Sequence, residues 1–331
     1  MIFKKLLPAF LPVLFIACAC AVDPEDDTDY FYDRVMKAWI NVNHPGLKPY
    51  GEQGAYILDM DRGTGSPVSD SSYVWVHYVK RTLDGTISST NIQDLAEQLG
   101  TYTISSWYGS NIWRVDQGYV PKGLEEVIKT MRAGGHATIA VPRTASTHTS
   151  SNYKAFNSTQ ELDNTLFDVT IDTIVTDINA YQEAVMREWF QAHFSRTDTL
   201  INGLYFQKLD EKTADSDTIP EGSSIKVRYI GRLLNGQVFD TNIEDTAKFY
   251  RIWNASTTYE ALSFEFNKSE DNQQSGSNSY VAGFQQAVLH MNYGETALTL
   301  FNSTLGYGDG GSAPSIPEYA PLIFWLYIEP K

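Results

Sequence analysis

Hydrophobic and polar positions divide the chain into two regions of short strands, separated by a long helical pattern. In the first region, alternating apolar residues predict antiparallel strands, most clearly over 73–79 and 136–141. Apolar residues at helical spacing predict a helix over 30–42, a short helix over 123–131 and a long helix over 178–194. The alternating pattern typical of strands restarts after this helix, at residues 204–206. The pattern therefore predicts two strand-rich units joined by a connector helix.

The two strand-rich units repeat one another. Segment 73–85 matches segment 224–236 in pattern, and 121–127 matches 281–287. Each unit shows a strand, a turn, a strand, a long connection, a short helix and further strands. A short helix in a strand-rich background predicts an α+β architecture, in which an antiparallel sheet curves around the helix.

The first residues are typical of a targeting segment. Lys4 and Lys5 precede an apolar stretch, 6–17, that is shorter than the roughly 20 residues of a membrane-spanning helix. The stretch leads into Cys18, and the run 14–18 resembles the lipobox of bacterial lipoproteins, where a cysteine after a small residue carries lipid. We expect residues 1–17 to be a removed signal peptide and Cys18 to be lipidated, with Cys20 as the alternative.

An acidic run follows the two cysteines. It consists of Asp23, Glu25, Asp26, Asp27 and Asp29, and it predicts a solvated tether over residues 18–29. The run also resembles the acidic segment behind the lipidated cysteine in surface lipoproteins of Bacteroidetes. Both interpretations stay open at this point.

Composition limits the possible partners and sites. Forty acidic residues against 25 basic ones give a net charge of −15, and no basic stripe is present. Nucleic acid is therefore not expected as a partner, because phosphate binding needs clustered Lys and Arg. No cysteine follows position 20, which excludes a disulfide framework and a cysteine metal site in the remaining chain. A length of 331 residues favours two domains.

We predict the following division of the chain after the tether. Residues 30–175 form the first unit, 176–201 the connector helix, and 202–331 the second unit, which we expect to fold alone.

Five segments of the second unit carry a family resemblance. In order along the chain they are 227–241, 263–266, 281–284, 305–308 and 316–324. They resemble the patterns V-x-Y-x-G-x-L-x-D/N-G-x-x-F-D-S, P-F-x-F, V-I-x-G-W, A-Y-G and I-P-x-x-x-L-x-F of the FKBP family. The resemblance implies peptidyl-prolyl cis-trans isomerase activity and two FKBP-like domains, the first of them diverged. It implies no metal or cofactor.

The resemblance also implies the site. Catalytic positions of the family match Tyr229, Phe239, Asp240, Tyr307 and Phe324, and substrate-binding positions match Phe264, Val281, Phe284 and Ile316. Tyr307 would hold the substrate carbonyl, and Asp240, oriented by Tyr229, would lie beside the rotating amide. Two positions depart from the pattern, because Phe284 replaces a Trp and Ser312 replaces a His. The segment 242–262 is also longer than the family norm.

The first unit lacks these residues. The pattern match puts Ile87 and Ser88 where the second unit has Phe239 and Asp240, and no Tyr-Gly loop follows Val141. We therefore expect a first domain without isomerase activity.

The expected function is isomerisation of proline-containing exported polypeptides in the cell envelope. The lipid would attach the protein to the outer membrane, on its periplasmic or its surface face. One alternative is a non-catalytic peptide-binding chaperone or adaptor, and another is a structural surface lipoprotein. The oligomeric state stays open.

Overall fold

The computed structural model describes residues 27–115, 118, 120–146, 163–195, 199–210, 218–267 and 280–331. The predicted signal peptide, Cys18, Cys20 and all of the predicted tether before Asp27 lie outside these residues. Within the described part of the chain, no helix combines the length and the apolar character needed to cross a bilayer.

The first unit is a six-stranded antiparallel sheet with one short helix in its core. Its strands are β1 (Tyr56–Asp61), β2 (Tyr73–Arg81), β3 (Ile87–Thr90), β4 (Asn111–Arg114), β5 (His136–Val141) and β6 (Thr165–Val175). Its helices are α1 (Asp27–Asn43), α2 (Gln93–Gln98) and α3 (Lys122–Ile128). The strand order is β1-β5-β6-β2-β3, and β4 also pairs with β2.

The second unit is built in the same way. After the connector helix α4 (Ile178–Phe194) come β7 (Leu204–Asp210), β8 (Ser223–Leu233), β9 (Val238–Thr241), α5 (Glu244–Phe249), β10 (Leu262–Phe266), α6 (Ala282–Val288), β11 (Thr296–Phe301) and β12 (Leu322–Ile328). The strand order is β7-β11-β12-β8-β10, and β9 also pairs with β8. The predicted fold class, α+β with two sheets that each curve around a short helix, is confirmed.

Register and side-chain bonds show that the units correspond residue by residue. Lys80 pairs with Ser89 and Gly231 pairs with Asp240, and in both units the register shifts directly after this pair. Tyr78, two residues before Lys80, therefore corresponds to Tyr229. The Oδ1 atom of Asn91 accepts a bond from the Tyr78 backbone N–H at 2.8 Å, and Asn242 Oδ1 does the same for Tyr229 at 2.9 Å. Both asparagines are buried. The predicted internal repeat thus extends to individual hydrogen bonds.

Each core lies between the sheet and its short helix. In the first unit Leu124 and Val127 of α3 pack against β2, and in the second unit Phe284 and Val288 of α6 pack against β8 and β12. These side chains are at most 3% exposed. Burying a side chain of this size contributes about 1.5–3 kcal/mol, so the helix and the sheet stabilise one another.

The connector helix α4 packs on the second sheet, on the face opposite α6. The Asp177 side chain caps its N-terminus by accepting bonds from two backbone N–H groups, each at 3.0 Å. Met186 and Phe190 then pack against Leu300, whereas the neighbouring Phe301 points to the other core. Because residues next to each other on a strand face opposite sides, α4 and α6 sandwich the sheet.

Several predicted bounds differ from the observed ones by one to three residues, most of all in α1 and α3. Helix α1 begins at Asp27 rather than at residue 30, so the end of the predicted tether is helical, and Asp29 pairs with Arg143 at 2.8 Å. Acidic residues suit a helix N-terminus because they complement the positive end of its dipole. Helix α3 ends at Ile128 rather than at 131. Helices α2 and α5 were not predicted.

Candidate active site

An aromatic cluster surrounds Phe324 at the centre of β12. The Phe324 ring contacts Phe239 edge-on at 5.6 Å between centroids and Phe284 edge-on at 5.4 Å. Phe301 stacks on it at 5.8 Å. Phe324 is 5% exposed, whereas Phe239 is only partly buried. The cluster therefore forms an apolar wall that opens to solvent beside Phe239.

Gly231 on β8 makes room for this wall. It pairs with Asp240 on β9 on one side and with Phe324 on β12 on the other. A Cβ atom at Gly231 would lie 2.6 Å from Phe239 Cε2 and 3.1 Å from Phe324 Cε1. Any side chain at this position would displace the two phenylalanine rings, so the wall requires glycine here.

Helix α6 and strand β10 supply the floor. Val281 is the N-cap residue of α6, and Phe284 lies in its first turn, 3% exposed. The Phe284 ring meets Tyr229 edge-on at 5.8 Å. Phe264 on β10 is 4% exposed and stacks on Tyr280 at 6.3 Å. The floor is thus apolar and aromatic throughout.

One polar pair lies at the mouth of this aromatic cluster. The Tyr229 hydroxyl donates to Asp240 Oδ2 at 2.7 Å. Burial raises the pKa of Tyr229, and the negative charge of Asp240 raises it further. The phenol therefore stays protonated at neutral pH and holds the exposed Asp240 carboxylate in a fixed orientation.

Tyr307 lies at the rim. Its side chain is 42% exposed, and its pKa is raised by burial of the hydroxyl and then by the charge of Asp240. The charge of Asp240 thus raises the pKa of both Tyr229 and Tyr307. Among the described residues, no hydrogen bond occupies the Tyr307 hydroxyl, so it is available to a ligand.

All nine residues implied by the family resemblance lie in the described part of the second unit. Phe264, Phe284, Ile316 and Phe324 belong to its buried core, with Tyr229, Phe239 and Val281 packed against them. Asp240 and Tyr307 complete the mouth and rim. Ile316 is held by a tight turn in which Ser312 N donates to Ile316 O at 2.8 Å and Ile316 N donates to Ser312 O at 2.9 Å.

Two contributors were missed by sequence reasoning. Tyr280 contacts Phe264 and also Phe284, with a ring distance of 5.5 Å to the latter. Its position directly before Val281 was a usable signal. Arg232 lies over the Tyr250 ring at 5.2 Å and donates to its hydroxyl at 3.0 Å, which ties the long segment 242–262 to β8. Nothing in the local pattern indicated that contact.

The first unit lacks the aromatic wall of the second unit at the equivalent place. The strand register shows that Ser88 and Ser89 occupy the positions equivalent to Phe239 and Asp240. The predicted match to Ile87 and Ser88 was therefore wrong by one residue. Lys80, 5% exposed, stands where the second unit has Gly231. The Tyr78 hydroxyl meets Ser89 Oγ at 3.2 Å, whereas the Tyr229 hydroxyl donates to the carboxylate of Asp240.

A cluster of Ser110, His77 and Asp172 in the first unit does not have the geometry of a nucleophile relay. Ser110 Oγ and Asp172 Oδ2 both contact His77 Nε2, each at 3.3 Å, and Ser110 also donates to Asp172. A relay needs the carboxylate and the hydroxyl on different ring nitrogens. In the part of the chain that the structure describes, no group of three or more His, Cys, Asp or Glu side chains is placed to hold a metal ion.

Comparison with known proteins points to one family for the second unit. Residues 216–328 match the family model described as FKBP-type peptidyl-prolyl cis-trans isomerase. The chain is 34% identical over 104 residues to the peptidyl-prolyl cis-trans isomerase FKBP15-1 of Arabidopsis thaliana, which covers 31% of this chain and 54% of that protein. It is 26% identical over 148 residues to a probable FKBP-type peptidyl-prolyl cis-trans isomerase of Haemophilus influenzae, which covers 43% of this chain and 51% of that protein.

The crystal structure of the three FKBP domains of wheat FKBP73 aligns with 84% of this chain and 95% of that one, at 18% identity and a TM-score of 0.30. The chain spans about half the length of the two curated relatives named above. The sequence matches support the FKBP-type isomerase family for the second unit.

Proposed function

We propose that the protein is a peptidyl-prolyl cis-trans isomerase whose site is the aromatic pocket of the second unit, and that it acts on proline-containing segments of exported polypeptides. The observation that carries the proposal is the partly open wall of Phe239, Phe284 and Phe324 beside the Tyr229–Asp240 pair. An apolar wall fits a pyrrolidine ring, and the polar groups beside it are few and fixed.

The physical basis is differential binding of a twisted amide. Rotation about an X–Pro bond has a barrier of about 18–20 kcal/mol, because the planar amide is stabilised by resonance. Twisting removes the resonance and reduces the charge separation of the amide. A pocket that excludes water therefore binds the twisted amide more tightly than the planar one, which lowers the barrier.

The polar residues orient the substrate without transferring a proton. Tyr307 donates a hydrogen bond to a substrate carbonyl at the rim, and Asp240, fixed by Tyr229, lies beside the rotating amide. Both phenols are protonated at neutral pH, and burial, which raises the pKa of each, makes their ionisation still less favourable. The pocket residues therefore act as donors, oriented charges and apolar walls.

The experiment is a protease-coupled assay of kcat/KM on an X–Pro tetrapeptide. Phe239→Ala opens the wall to water and should lower kcat/KM by about ten- to a hundredfold, since a partly buried phenylalanine contributes somewhat less than the 3–5 kcal/mol of a core one. Phe31→Ala is the matched control, because Phe31 is 61% exposed on α1 of the first unit. Circular dichroism checks the fold. A folded Phe239→Ala variant with full activity would refute this site.

A second candidate function is peptide binding without turnover, as in a chaperone or adaptor. It is favoured by Phe284 in place of the family's tryptophan and by the exposed aromatic residues Phe249 and Trp253 on the long segment 242–262. Calorimetric binding of a proline peptide to a wild-type protein that fails to catalyse would favour this candidate. Catalysis by the wild type would exclude it.

We further propose that the protein is a lipoprotein of the cell envelope, anchored through Cys18. The proposal rests on the lipobox-like run 14–18. In a bacterial host, a labelled fatty acid should enter the wild-type protein but not Cys18→Ala. Labelling lost only in Cys20→Ala would move the anchor to Cys20.

A further inference from the structure

A loop of the first unit contacts the segment of the second unit that carries the rim of the pocket. We call residues 101–110 the contact loop and residues 306–319 the rim segment. Trp107 N donates to Pro314 O at 2.7 Å. Close by, Asn111 Nδ2 donates to Glu318 Oε2 at 3.1 Å. Gln237 Nε2, from the turn between β8 and β9, donates to Ser106 O at 3.1 Å.

The rim segment combines internal hydrogen bonds, such as Tyr319 N to Gly308 O at 3.0 Å, with contacts to the first unit. It includes four glycines, at positions 306, 308, 310 and 311, and Gly308 and Gly311 have positive φ angles of 65° and 57°. Glycine permits many backbone conformations, so contacts with the first unit add to the order of a segment this rich in glycine. Both Tyr307 and Ile316 lie on this segment. Their positions therefore depend on what holds the segment.

Trp107 supplies one of these outside contacts. Its side chain packs against the hydrophobic core of the second unit, and its indole N–H is buried. Trp107 also lines two cavities at the seam between the units, of about 250 and 390 Å³. These cavities leave few side chains beside the indole. If the indole is removed, few neighbouring side chains can replace its contacts with the second unit.

The second unit shows that the loop framework itself does not need this tryptophan. In the contact loop Thr103 N donates to the Tyr108 hydroxyl at 3.2 Å, and in the second unit Asn254 N donates to the Tyr259 hydroxyl at 2.8 Å. The two loops correspond residue by residue, and Thr258, which is exposed, stands where Trp107 does. The loop framework therefore forms without an indole, and in the first unit the Trp107 indole lies between Gly109 of its own loop and the core of the second unit.

We propose that Trp107 is a positioning residue of the pocket: it holds the rim segment so that Tyr307 and Ile316 face the substrate. The first unit then contributes to the site through this loop, although it has no aromatic wall of its own. The inference rests on the proposed function for its effect on catalysis. The structural part of the inference, that Trp107 orders the rim segment, does not depend on the proposed function.

The test compares three variants of the full chain. Trp107→Thr installs the residue of the equivalent second-unit loop, so the loop should keep its fold. Trp107→Phe is the conservative variant. Ile104→Ala is the control, because Ile104 is exposed in the same loop. Hydrogen exchange of residues 306–319, read by mass spectrometry, reports order in the rim segment, and KM and kcat are measured on X–Pro peptides.

Trp107→Thr should speed exchange in the rim segment by about tenfold, because local opening governs exchange. It should also lower kcat/KM by about three- to tenfold, mainly through KM, because the rim binds substrate. Trp107→Phe should recover part of both effects, and Ile104→Ala should show neither.

The two proposals fail in different ways. An inactive wild type refutes the proposed function, and the exchange measurement still decides whether Trp107 orders the rim. Unchanged exchange in Trp107→Thr overturns the positioning proposal, whatever the activity. Faster exchange with unchanged KM and kcat also overturns it, because the rim would then be ordered without consequence for substrate.

Discussion

The two units share their strand order, their register and their buried asparagines, yet only the second has the aromatic wall of Phe239, Phe284 and Phe324. The difference is concentrated at a few positions on neighbouring strands. Lys80 of the first unit corresponds to Gly231, and Ser88 corresponds to Phe239. The second unit therefore obtains its wall by omitting one side chain and adding one ring. The sheet supports either outcome, which illustrates how a site is added to a fold rather than dictated by it.

The corresponding tyrosines sharpen the contrast. Burial raises the pKa of Tyr78 to about 12, and its hydroxyl meets a neutral serine. The equivalent Tyr229 donates to the carboxylate of Asp240 at the mouth of the aromatic cluster. The same phenol position serves core packing in one unit and orients a charge in the other.

The largest expected effect comes from giving the second unit the residue of the first. Gly231→Lys should lower kcat/KM by about a hundredfold or more, because overpacking costs about 1–3 kcal/mol and the displaced Phe239 ring no longer forms the wall. The measurement is the peptide assay with circular dichroism. Ser224→Lys, at an exposed position of the same strand, is the control. If Gly231→Lys stays folded and active, the comparison between the units does not explain the pocket.

A smaller effect is expected at the rim, which has no described counterpart in the first unit. Tyr307→Phe keeps the ring and removes one hydrogen bond, so kcat/KM should fall by about two- to tenfold, corresponding to about 0.5–1.5 kcal/mol. Tyr102→Phe in the contact loop of the first unit serves as the control and should change nothing. If Tyr307→Phe lowered kcat/KM more than a hundredfold, Tyr307 would have to do more than donate a single hydrogen bond.

The smallest effect is expected at the floor. Phe284→Trp adds a few tens of Å² of apolar surface, which is about 1 kcal/mol at roughly 25 cal/mol per Å². The activity of this variant should therefore equal that of the wild type or exceed it by several-fold at most. Thermal unfolding checks that α6 accommodates the indole. A wild-type protein without turnover that becomes active as Phe284→Trp would favour the peptide-binding function instead.

Regular periodicity explains what the sequence could predict. The pattern placed β5 and the connector helix at their observed bounds, and the helix has clear end signals, with Asp177 as N-cap and Ser195 at φ 53°. Helices α2 and α5 have six residues each and no side-chain cap bond, so neither periodicity nor a cap marked them.

The residues around the pocket were predictable only as an ordered set of motifs. The one-residue error at Ser88 arose because the strand 87–90 has a single apolar residue, so alternation cannot fix its register. The pairing of Lys80 with Ser89 fixes it in the structure. Contacts at the seam, such as Asn111 to Glu318, join residues 207 positions apart and leave no local pattern.

Phe284 at the floor also has a spectroscopic consequence. The seven tryptophans of the chain are Trp39, Trp75, Trp107, Trp113, Trp189, Trp253 and Trp325. None of them occupies the floor, and β12 directs Trp325 to the face of the sheet opposite Phe324. Phenylalanine does not absorb where indole is selectively excited, so a ligand on the floor contacts no chromophore there. Intrinsic tryptophan fluorescence therefore reports on indoles away from the floor, Trp107 at the seam among them, and occupancy of the floor needs a different optical signal.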